Sequence, residues 1–289
     1  MRIVAKIAAD STLFLISLLT FFTNFERDVS KFSKFMEDYA NMRAQAETPK
    51  EAAELLKGSK EQKKILSQYI KSPFDCEIER VAKGVFVLGV AEAETPEVSQ
   101  ECDASKAITI ATNEAVTKIA CAGARFLTTK NVNDSKISAI GSFVSSKAVN
   151  PMAFQCKGDT IYLVGKRCGE ELDCEMEPSY LYRLQRCIEE GLVASAHYIS
   201  RRGLFAALIE ASAPHSLGFD ITSDAELEDM EFLFGESPYF ALVTVDEEQE
   251  NEFVDTLFNN NVPVTLLGHV TKGECRMDEL SFGNIEEYI

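Results

Sequence analysis

The residues best suited to bind an anion lie close together between positions 197 and 203. A predicted strand over 193–199 ends there, a turn follows, and a predicted helix over 204–212 begins directly after it. Backbone N–H groups at the start of a helix point outward and attract negatively charged groups. The residues of this turn that could take part are His197, Ser200, Arg201, Arg202 and Gly203. The pattern therefore predicts an anion-binding turn, although many strand–turn–helix connections look similar.

Each of these side chains also has a structural interpretation. His197 could contact a phosphate or a base, but a histidine inside a predicted strand is more often part of the core. Ser200 could bind a ligand or cap the following helix. The guanidinium groups of Arg201 and Arg202 could hold an anion without a metal ion, or they could be solvated. The sequence by itself leaves these alternatives open.

Composition restricts the partners and the compartment. The chain has 289 residues, of which 46% are hydrophobic and 26% are charged, and its formal net charge is −17. This charge argues against binding nucleic acid through a basic surface. The eight cysteines include no C-x-x-C pair. We therefore expect no metal site, and reduced thiols that fit the cytoplasm.

An apolar run near the N-terminus, residues 13–22, is too short to span a bilayer, and we expect no membrane association. The favoured interpretation is a buried helix, because no small-residue cleavage site follows the run. A signal peptide is the alternative. Residues 1–54 are predicted to be a helical segment whose role the sequence does not reveal.

Strands and helices alternate along the rest of the chain with short connections, which predicts an α+β fold built of α/β layers. The predicted helices cover 49–57, 59–70, 104–123, 176–190, 204–212, 227–234 and 247–259. The predicted strands cover 83–91, 137–144, 161–164, 193–199, 218–221, 239–245 and 262–270, and a carboxylate-rich turn is predicted at 92–96. The strands at 161–164 and 262–270 are expected to share one sheet.

The turn between positions 197 and 203 also carries a resemblance to a known family. The pattern H-x-x-S-x-x-G-L at 197–204, followed by A-A-L-I-E-A, resembles the H-D-x-S-x-G-G-L segment of the phosphoribosylformylglycinamidine synthetase large subunit. That enzyme belongs to the AIR-synthase (PurM-like) superfamily. Similar segments run from Ala124 to Asn131, from Gly158 to Gly165, and through an F-x-E-S turn at 234–237. The resemblance covers roughly residues 55–289 and is strongest after 137.

The sequence departs from the family pattern at several positions. Tyr198 stands where the family has Asp, and Arg202 where it has the first Gly. Ile70 replaces the Asp of a Q-Y-D motif, and the residues at 92–96 replace a T-D-G-N-type substrate loop. After Asn133 the chain passes directly to the next predicted strand, without the family's additional helix and phosphate loop.

The resemblance implies a PurM-like architecture in three parts. Residues 1–54 would be an added helical segment, residues 55–150 a truncated AIR-synthase N-terminal-type sheet, and residues 151–289 an AIR-synthase C-terminal-type domain. It also adds Asn131, Glu236 and Ser237 to the candidate ligand-binding residues.

The family activity implied is ATP-dependent amidine formation on formylglycinamide ribonucleotide, with Mg²⁺ on the phosphates and ammonia from a glutaminase. Such chemistry needs carboxylates for Mg²⁺ and backbone cradles for phosphate. Because the departures fall on those parts, we expect a non-catalytic relative in interaction or regulation, with no catalytic residues and no cofactor. ATP and Mg²⁺ are expected only if the activity is retained. The alternatives are a ligase completed by a partner subunit and an anion- or nucleotide-binding module.

The expected partners are a second copy of this chain and a purine-synthesis subunit, either a glutaminase or a full-length synthetase. The resemblance implies that N-terminal-type domains pair through their sheets. Six phenylalanines between residues 14 and 35 add apolar surface, which could fold back on the sheet or pack against a second copy. We expect the second arrangement, a homodimer.

Overall fold

The chain forms two sheets with separate hydrophobic cores. A computed structural model describes residues 46–81, 86–96, 102, 104–133, 136–144, 148–165, 178–235 and 241–289. The described helices are α1 (Pro49–Gly58), α2 (Lys60–Lys71), α3 (Ala104–Cys121), α4 (Pro178–Glu189), α5 (Gly203–Ser212), α6 (Asp229–Phe234) and α7 (Glu250–Phe258). The described strands are β1 (Glu77–Val81), β2 (Phe86–Glu94), β3 (Arg125–Asn133), β4 (Lys136–Ser142), β5 (Thr160–Val164), β6 (Ser195–Tyr198), β7 (Gly218–Ile221), β8 (Ala241–Val245), β9 (Val264–Thr271), β10 (Glu274–Met277) and β11 (Leu280–Asn284).

The smaller sheet has four antiparallel strands in the order β1-β2-β4-β3. Helix α3 packs on one of its faces through small side chains, among them Ala111 and Ala115, which are fully buried. Small residues let the helix approach the sheet closely, and a Cβ at Gly141 would lie 2.5 Å from the side chain of Ile119. The outer strands β1 and β3 were not predicted from the sequence, because both are rich in polar residues.

The larger sheet has seven strands in the order β11-β10-β7-β9-β5-β8-β6. Strand β5 is an inner strand and is buried along its whole length, as its apolar sequence favours. It pairs with β9, so the prediction that these two strands share a sheet is confirmed. Helix α5 contributes to the core that contains Leu163, whereas α4 and α7 contribute to the core that contains Tyr162.

Helices α1 and α2 precede the smaller sheet in sequence but pack with the larger one. Ala52, Ala53, Leu56 and Leu66 belong to the same core as α5. Thr48 before Pro49, and Ser59 three residues before Gln62, are typical of helix starts in the sequence, and both side chains accept hydrogen bonds from backbone N–H groups of the first turn. The described part of the chain contains no helix that is long and apolar enough to cross a membrane, and residues 13–22 lie outside it.

The predicted turn at 92–96 is wrong over its first half. Strand β2 continues through Glu94, with Glu92, Ala93 and Glu94 opposite Ser138, Ile137 and Lys136 of β4. Alternation explains this result, because Ala93 is buried while the flanking carboxylates point to the other side, where Lys136 forms an ion pair with Glu92. Several other predicted elements are shorter in the structure, namely β6 and α7 at both ends, α6 at its start and α3 at its end.

Candidate functional site

A cleft opens where α2 faces the end of the smaller sheet and the turn before α5. Its volume is about 350 Å³. Four carboxylates line it, from Glu61, Glu92, Glu94 and Glu114. Four cations line it as well, from Lys64, Lys118, Lys136 and Arg202. Among the described residues that line the cleft, positive and negative charges are therefore equal in number.

Most of the cations in the cleft have acidic partners. The Nζ of Lys118 lies 2.9 Å from Oε1 of Glu114 and donates to the backbone carbonyl of Glu92 over 2.7 Å. The same ammonium lies 4.3 Å from the ring centroid of Tyr198, in a cation–π arrangement. Lys136 is paired with Glu92. Although burial lowers the pKa of Lys118, the Glu114 carboxylate more than compensates, so the ammonium is charged at neutral pH.

Beneath the cleft lies a group of five polar side chains, Gln62, Asp75, His197, Arg202 and Glu210, which we call the buried network. Nδ1 of His197 is 2.6 Å from Oδ1 of Asp75, and its Nε2 is 3.0 Å from Oε2 of Glu210. Nη1 of Arg202 is 2.5 Å from Oε1 of Glu210 and donates to Oε1 of Gln62 over 3.2 Å. The network joins four parts of the chain: α2, the loop that contains Asp75, strand β6 and helix α5.

The geometry of His197 fixes its charge. A neutral imidazole has one N–H, yet both ring nitrogens of His197 face carboxylate oxygens, so two donors are required. Burial lowers the pKa of His197, but Asp75 and Glu210 raise it to about 9. Burial alone would raise the pKa of Glu210, but Arg202 and His197 hold it below its usual value. The network thus contains two cations and two carboxylates.

The structure separates the two arginines of the turn. The side chain of Arg202 is only 2% exposed, so the solvated alternative is wrong for this residue. Burial lowers the pKa of Arg202 and Glu210 raises it above the usual value, which keeps the guanidinium charged. Arg201 is half-buried at the surface of the turn. Arg202 lines the cleft, and the carboxylate of Glu210 in the buried network compensates its charge.

Ser200 and Gly203 shape the turn itself. The Oγ of Ser200 accepts a hydrogen bond from the N–H of Arg202 over 3.2 Å, whereas the N-cap position of α5 is Arg202, which makes no side-chain cap. Ser200 therefore stabilises the turn. The alternative interpretation, in which Ser200 caps the following helix, is wrong. Gly203 has a φ of +85°, and a Cβ there would lie 2.7 Å from the carbonyl oxygen of Leu233. The start of α5 is consequently packed against α6.

The other candidate residues lie elsewhere. Asn131 is an exposed residue of β3, the outer strand of the smaller sheet. Glu236 and Ser237 lie outside the described residues. Ile70 is 42% exposed at the end of α2, while the preceding Gln68 and Tyr69 line the cleft.

Sequence reasoning did not identify Asp75, Glu210, Gln62 or the cleft residues Glu114, Lys118 and Lys136 as site residues. For Glu210, the sequence contained a signal that could have predicted its role. Glu210 is a lone carboxylate in an otherwise apolar helix, all of which is buried, and a buried carboxylate needs a partner. No sequence pattern singles out Asp75 or Lys118, and only the tertiary structure brings them to this site.

The cleft can be tested for its fit to Mg²⁺-bound nucleotide phosphates. Among the described residues, no group of three or more His, Cys, Asp or Glu side chains is placed to hold a metal ion. Glu92 and Glu114 are engaged by lysines, and Tyr198 stands where the resemblance expects a carboxylate. Burial also raises the pKa of Glu94. The described residues of the cleft therefore do not fit a Mg²⁺-bound nucleotide phosphate.

The sequence is similar to known proteins over its C-terminal part. Residues 157–277 match the family model described as AIR synthase related protein, C-terminal domain. The chain is 37% identical over 139 residues to the phosphoribosylformylglycinamidine synthase subunit PurL of Carboxydothermus hydrogenoformans, covering 42% of this chain and 19% of that protein. For PurL of Limosilactobacillus reuteri the identity is 31% over 172 residues, covering 53% of this chain and 22% of that protein. The chain thus spans about a fifth of the length of these curated relatives.

Solved structures show the same fold. The Thermotoga maritima PurL complexed with ADP superposes with a TM-score of 0.64 at 12% identity, over 77% of this chain and 48% of that one. The thiamine-monophosphate kinase of Stenotrophomonas maltophilia gives a TM-score of 0.52 at 14% identity, over 75% of this chain and 95% of that one. The predicted mixed α/β, PurM-like fold is confirmed. Together with the family match, these similarities show that the C-terminal part of this chain resembles PurL and carries a domain of the AIR synthase related type.

Proposed function

We propose that this protein is a non-catalytic relative of PurL that acts in purine biosynthesis by binding, in the cytoplasm, and does not carry out ATP-dependent ligation. One observation carries the proposal. At the position of the family's aspartate, the ring of Tyr198 lies 4.3 Å from the ammonium of Lys118. A fixed cation therefore lies beside the place where a carboxylate would help to hold Mg²⁺.

Two further features support the same conclusion. Arg202, which could have held a phosphate on its own, is compensated by Glu210 at 2.5 Å. The first residue of α5 is packed against the backbone of α6. A phosphate group would have to compete with an internal carboxylate for the guanidinium and would find little open space at the helix start. Weakening such charge neutralisation removes several kcal/mol of transition-state stabilisation, of about the size that metal ions supply.

The test is an assay of phosphate release from ATP with formylglycinamide ribonucleotide and ammonia. We expect no release above the background for the full chain, while PurL from Thermotoga maritima serves as the positive control. Turnover at a rate near that of ordinary enzymes, roughly 1 s⁻¹ or more, would contradict the proposal.

The same assay separates a partner-completed ligase from a non-catalytic protein. One structural neighbour is the PurLQS structure from Thermotoga maritima, with a TM-score of 0.57 at 13% identity. Partner subunits are for this reason added to the assay. Because a partner would not remove the Lys118–Tyr198 contact from the cleft, we expect that a glutaminase or full-length synthetase from the same source leaves the chain inactive. Activity that appears only with the partner, and is absent from the partner alone, would establish the alternative.

The cleft favours a second candidate function, the binding of a small ligand. Its volume of about 350 Å³ lies at the lower end of the range of ligand pockets, roughly 300–1,000 Å³. Because the described part of its lining carries equal numbers of carboxylates and cations, the cleft suits a polar ligand with both charges better than a polyphosphate. Isothermal titration with ADP, with and without Mg²⁺, should show no binding, and a dissociation constant in the micromolar range would restore the nucleotide-binding module.

A further inference from the structure

The charged side chains that line the cleft differ in whether the protein itself compensates them. Three of the four cations of the described lining are paired with carboxylates of the protein, in the pairs Lys118–Glu114, Lys136–Glu92 and Arg202–Glu210. Three charged side chains of the described lining make no ion pair with a described residue, namely Glu61, Lys64 and Glu94. A ligand in the cleft would therefore meet these three charges rather than the paired ones.

Glu94 is the carboxylate of this set on the sheet side of the cleft. It is half-buried at the end of β2, where its Cα lies opposite that of Lys136. The ammonium of Lys136 is engaged by Glu92, and no described residue donates a hydrogen bond to the Glu94 carboxylate. Burial raises the pKa of Glu94, although the positive charges of Lys136 and Arg201 act against that shift. A partly buried carboxylate without donors is costly, so a cationic group that reaches Glu94 would be bound favourably.

Helix α2 supplies the opposite charge on the facing wall. Lys64 is exposed and lines the cleft. Glu61 lies in the first turn of the same helix, where the helix dipole stabilises a negative charge. The charge of Glu61 is therefore stabilised without a ligand. A positive charge on α2 and a negative charge on the sheet remain, on opposite walls of the cleft.

The tyrosine rings of the cleft already contact cations of the protein. The ammonium of Lys118 lies 4.3 Å from the ring centroid of Tyr198. The rings of Tyr69 and His197 are 5.6 Å apart in a T-shaped arrangement. A cationic ligand group would have to compete with these contacts for a ring, whereas the carboxylate of Glu94 has no such competitor at hydrogen-bond distance.

We propose that the cleft binds a small zwitterion in which an aliphatic chain separates a protonated amine from a carboxylate. The amine binds Glu94, the carboxylate binds Lys64, and the chain packs on Ile65, which lines the cleft beside Lys64. Because the two charges of the protein lie on opposite walls, a molecule such as glycine, with both charges on one carbon atom, reaches only one of them. This inference rests on the second candidate function, ligand binding in the cleft, and names the class of ligand.

The first experiment is isothermal titration of the full wild-type chain with amino acids of increasing chain length. The probes are γ-aminobutyrate, δ-aminovalerate and ε-aminocaproate, each compared with the simple amine and the simple carboxylate of the same length. For the length that binds best, we expect the carboxylate without an amine to bind about tenfold or more weakly, because it loses the contact with Glu94. The amine without a carboxylate should bind about two- to fivefold more weakly, because Lys64 is exposed. A single-charge probe that binds as tightly as the zwitterion would overturn the proposal.

The second experiment titrates the best probe into charge-removing variants. Glu94→Gln should weaken binding about tenfold or more, whereas Glu79→Gln, on β1 and outside the described lining, should leave it unchanged. Lys64→Met should weaken binding about two- to fivefold. Its matched control is Lys63→Met, because Lys63 is equally exposed on α2 but does not line the cleft. Unchanged affinity in Glu94→Gln, or equal losses in the variants and their controls, would overturn the assignment.

The outcomes distinguish this inference from the function on which it rests. Circular dichroism checks that each variant is folded, and the wild-type titrations do not depend on any variant. If the wild-type chain binds single-charge probes but none of the zwitterions, ligand binding in the cleft stands and the assigned class of ligand is wrong. If none of the probes binds, both the ligand-binding function and the assignment are overturned.

Discussion

The buried network and the wall of the cleft both consist of oppositely charged side chains in contact, but they differ in what surrounds them. In the network, His197, Arg202 and Glu210 are at most 2% exposed and every charge faces an opposite one. In the wall, the Glu92–Lys136 and Glu114–Lys118 pairs keep 12–16% of their side chains exposed and border open space. The difference indicates that the network stabilises the packing of α2 and of the loop before β1 against β6 and α5, whereas the wall remains accessible to a ligand.

This comparison corrects the sequence-based view of the turn before α5. Charged residues beside a helix start suggest an anion site when they are considered alone. Here the helix itself supplies the compensating carboxylate, Glu210, seven residues after Gly203. Breaking one member of such a pair leaves an uncompensated buried charge, and this costs far more than breaking an exposed pair.

The largest effect is expected from Glu210→Gln, which keeps the shape of the side chain and removes its charge. Arg202 and His197 would then be left in the core with one carboxylate between them, so the free energy of unfolding should fall by about 3–5 kcal/mol. Urea denaturation of the full chain measures the change. Glu189→Gln is the matched control, because its cationic partners Arg125 and Arg186 both have substantially exposed side chains and the loss should stay below about 1 kcal/mol. Equal losses in the two variants would remove the distinction between buried and exposed pairs.

A smaller effect is expected on the way the free energy of unfolding depends on pH. The pKa of His197 is about 9 in the folded protein, above the roughly 6.5 expected in the unfolded chain. The stabilisation from this residue is therefore complete below about pH 6.5 and is lost as the pH rises through about 9, by about 3 kcal/mol in total. His197→Gln should abolish this part of the pH dependence. If the difference in unfolding free energy between wild type and variant does not change between pH 6 and 9, the imidazolium assignment is wrong.

The smallest effect is expected in the wall of the cleft. Lys136→Met removes the partner of Glu92, but water can reach the carboxylate, whose pKa burial already raises. The free energy of unfolding should fall by about 1 kcal/mol, between the exposed and buried cases. Added salt should reduce the difference further, because partly exposed pairs are screened. A loss as large as that of Glu210→Gln would place the wall in the same class as the network.

The sequence by itself determined most of the elements and the similarity of the C-terminal part to PurL. Periodicity and caps located α1 and α2 through Thr48 and Ser59, and continuous apolar runs located the buried strands β5 and β8. These signals are local, since they depend on residues at most a few positions apart. They were weakest for β1 and β3, whose polar sequences are typical of outer strands, and at Glu92–Glu94, where alternation was hidden by carboxylates.

Only the tertiary structure decided the chemistry of the site. Asp75 and His197 are 122 positions apart, and Gln62 and Arg202 are 140 positions apart, so no local pattern could pair them. Their contacts depend on α2 packing against the larger sheet, which follows from burial of Leu66 and Phe205 in one core. The charge state of a side chain depends on the groups within a few ångströms of it. For that reason the sequence could place the arginines at a helix start, but it could not tell that one of them was already neutralised.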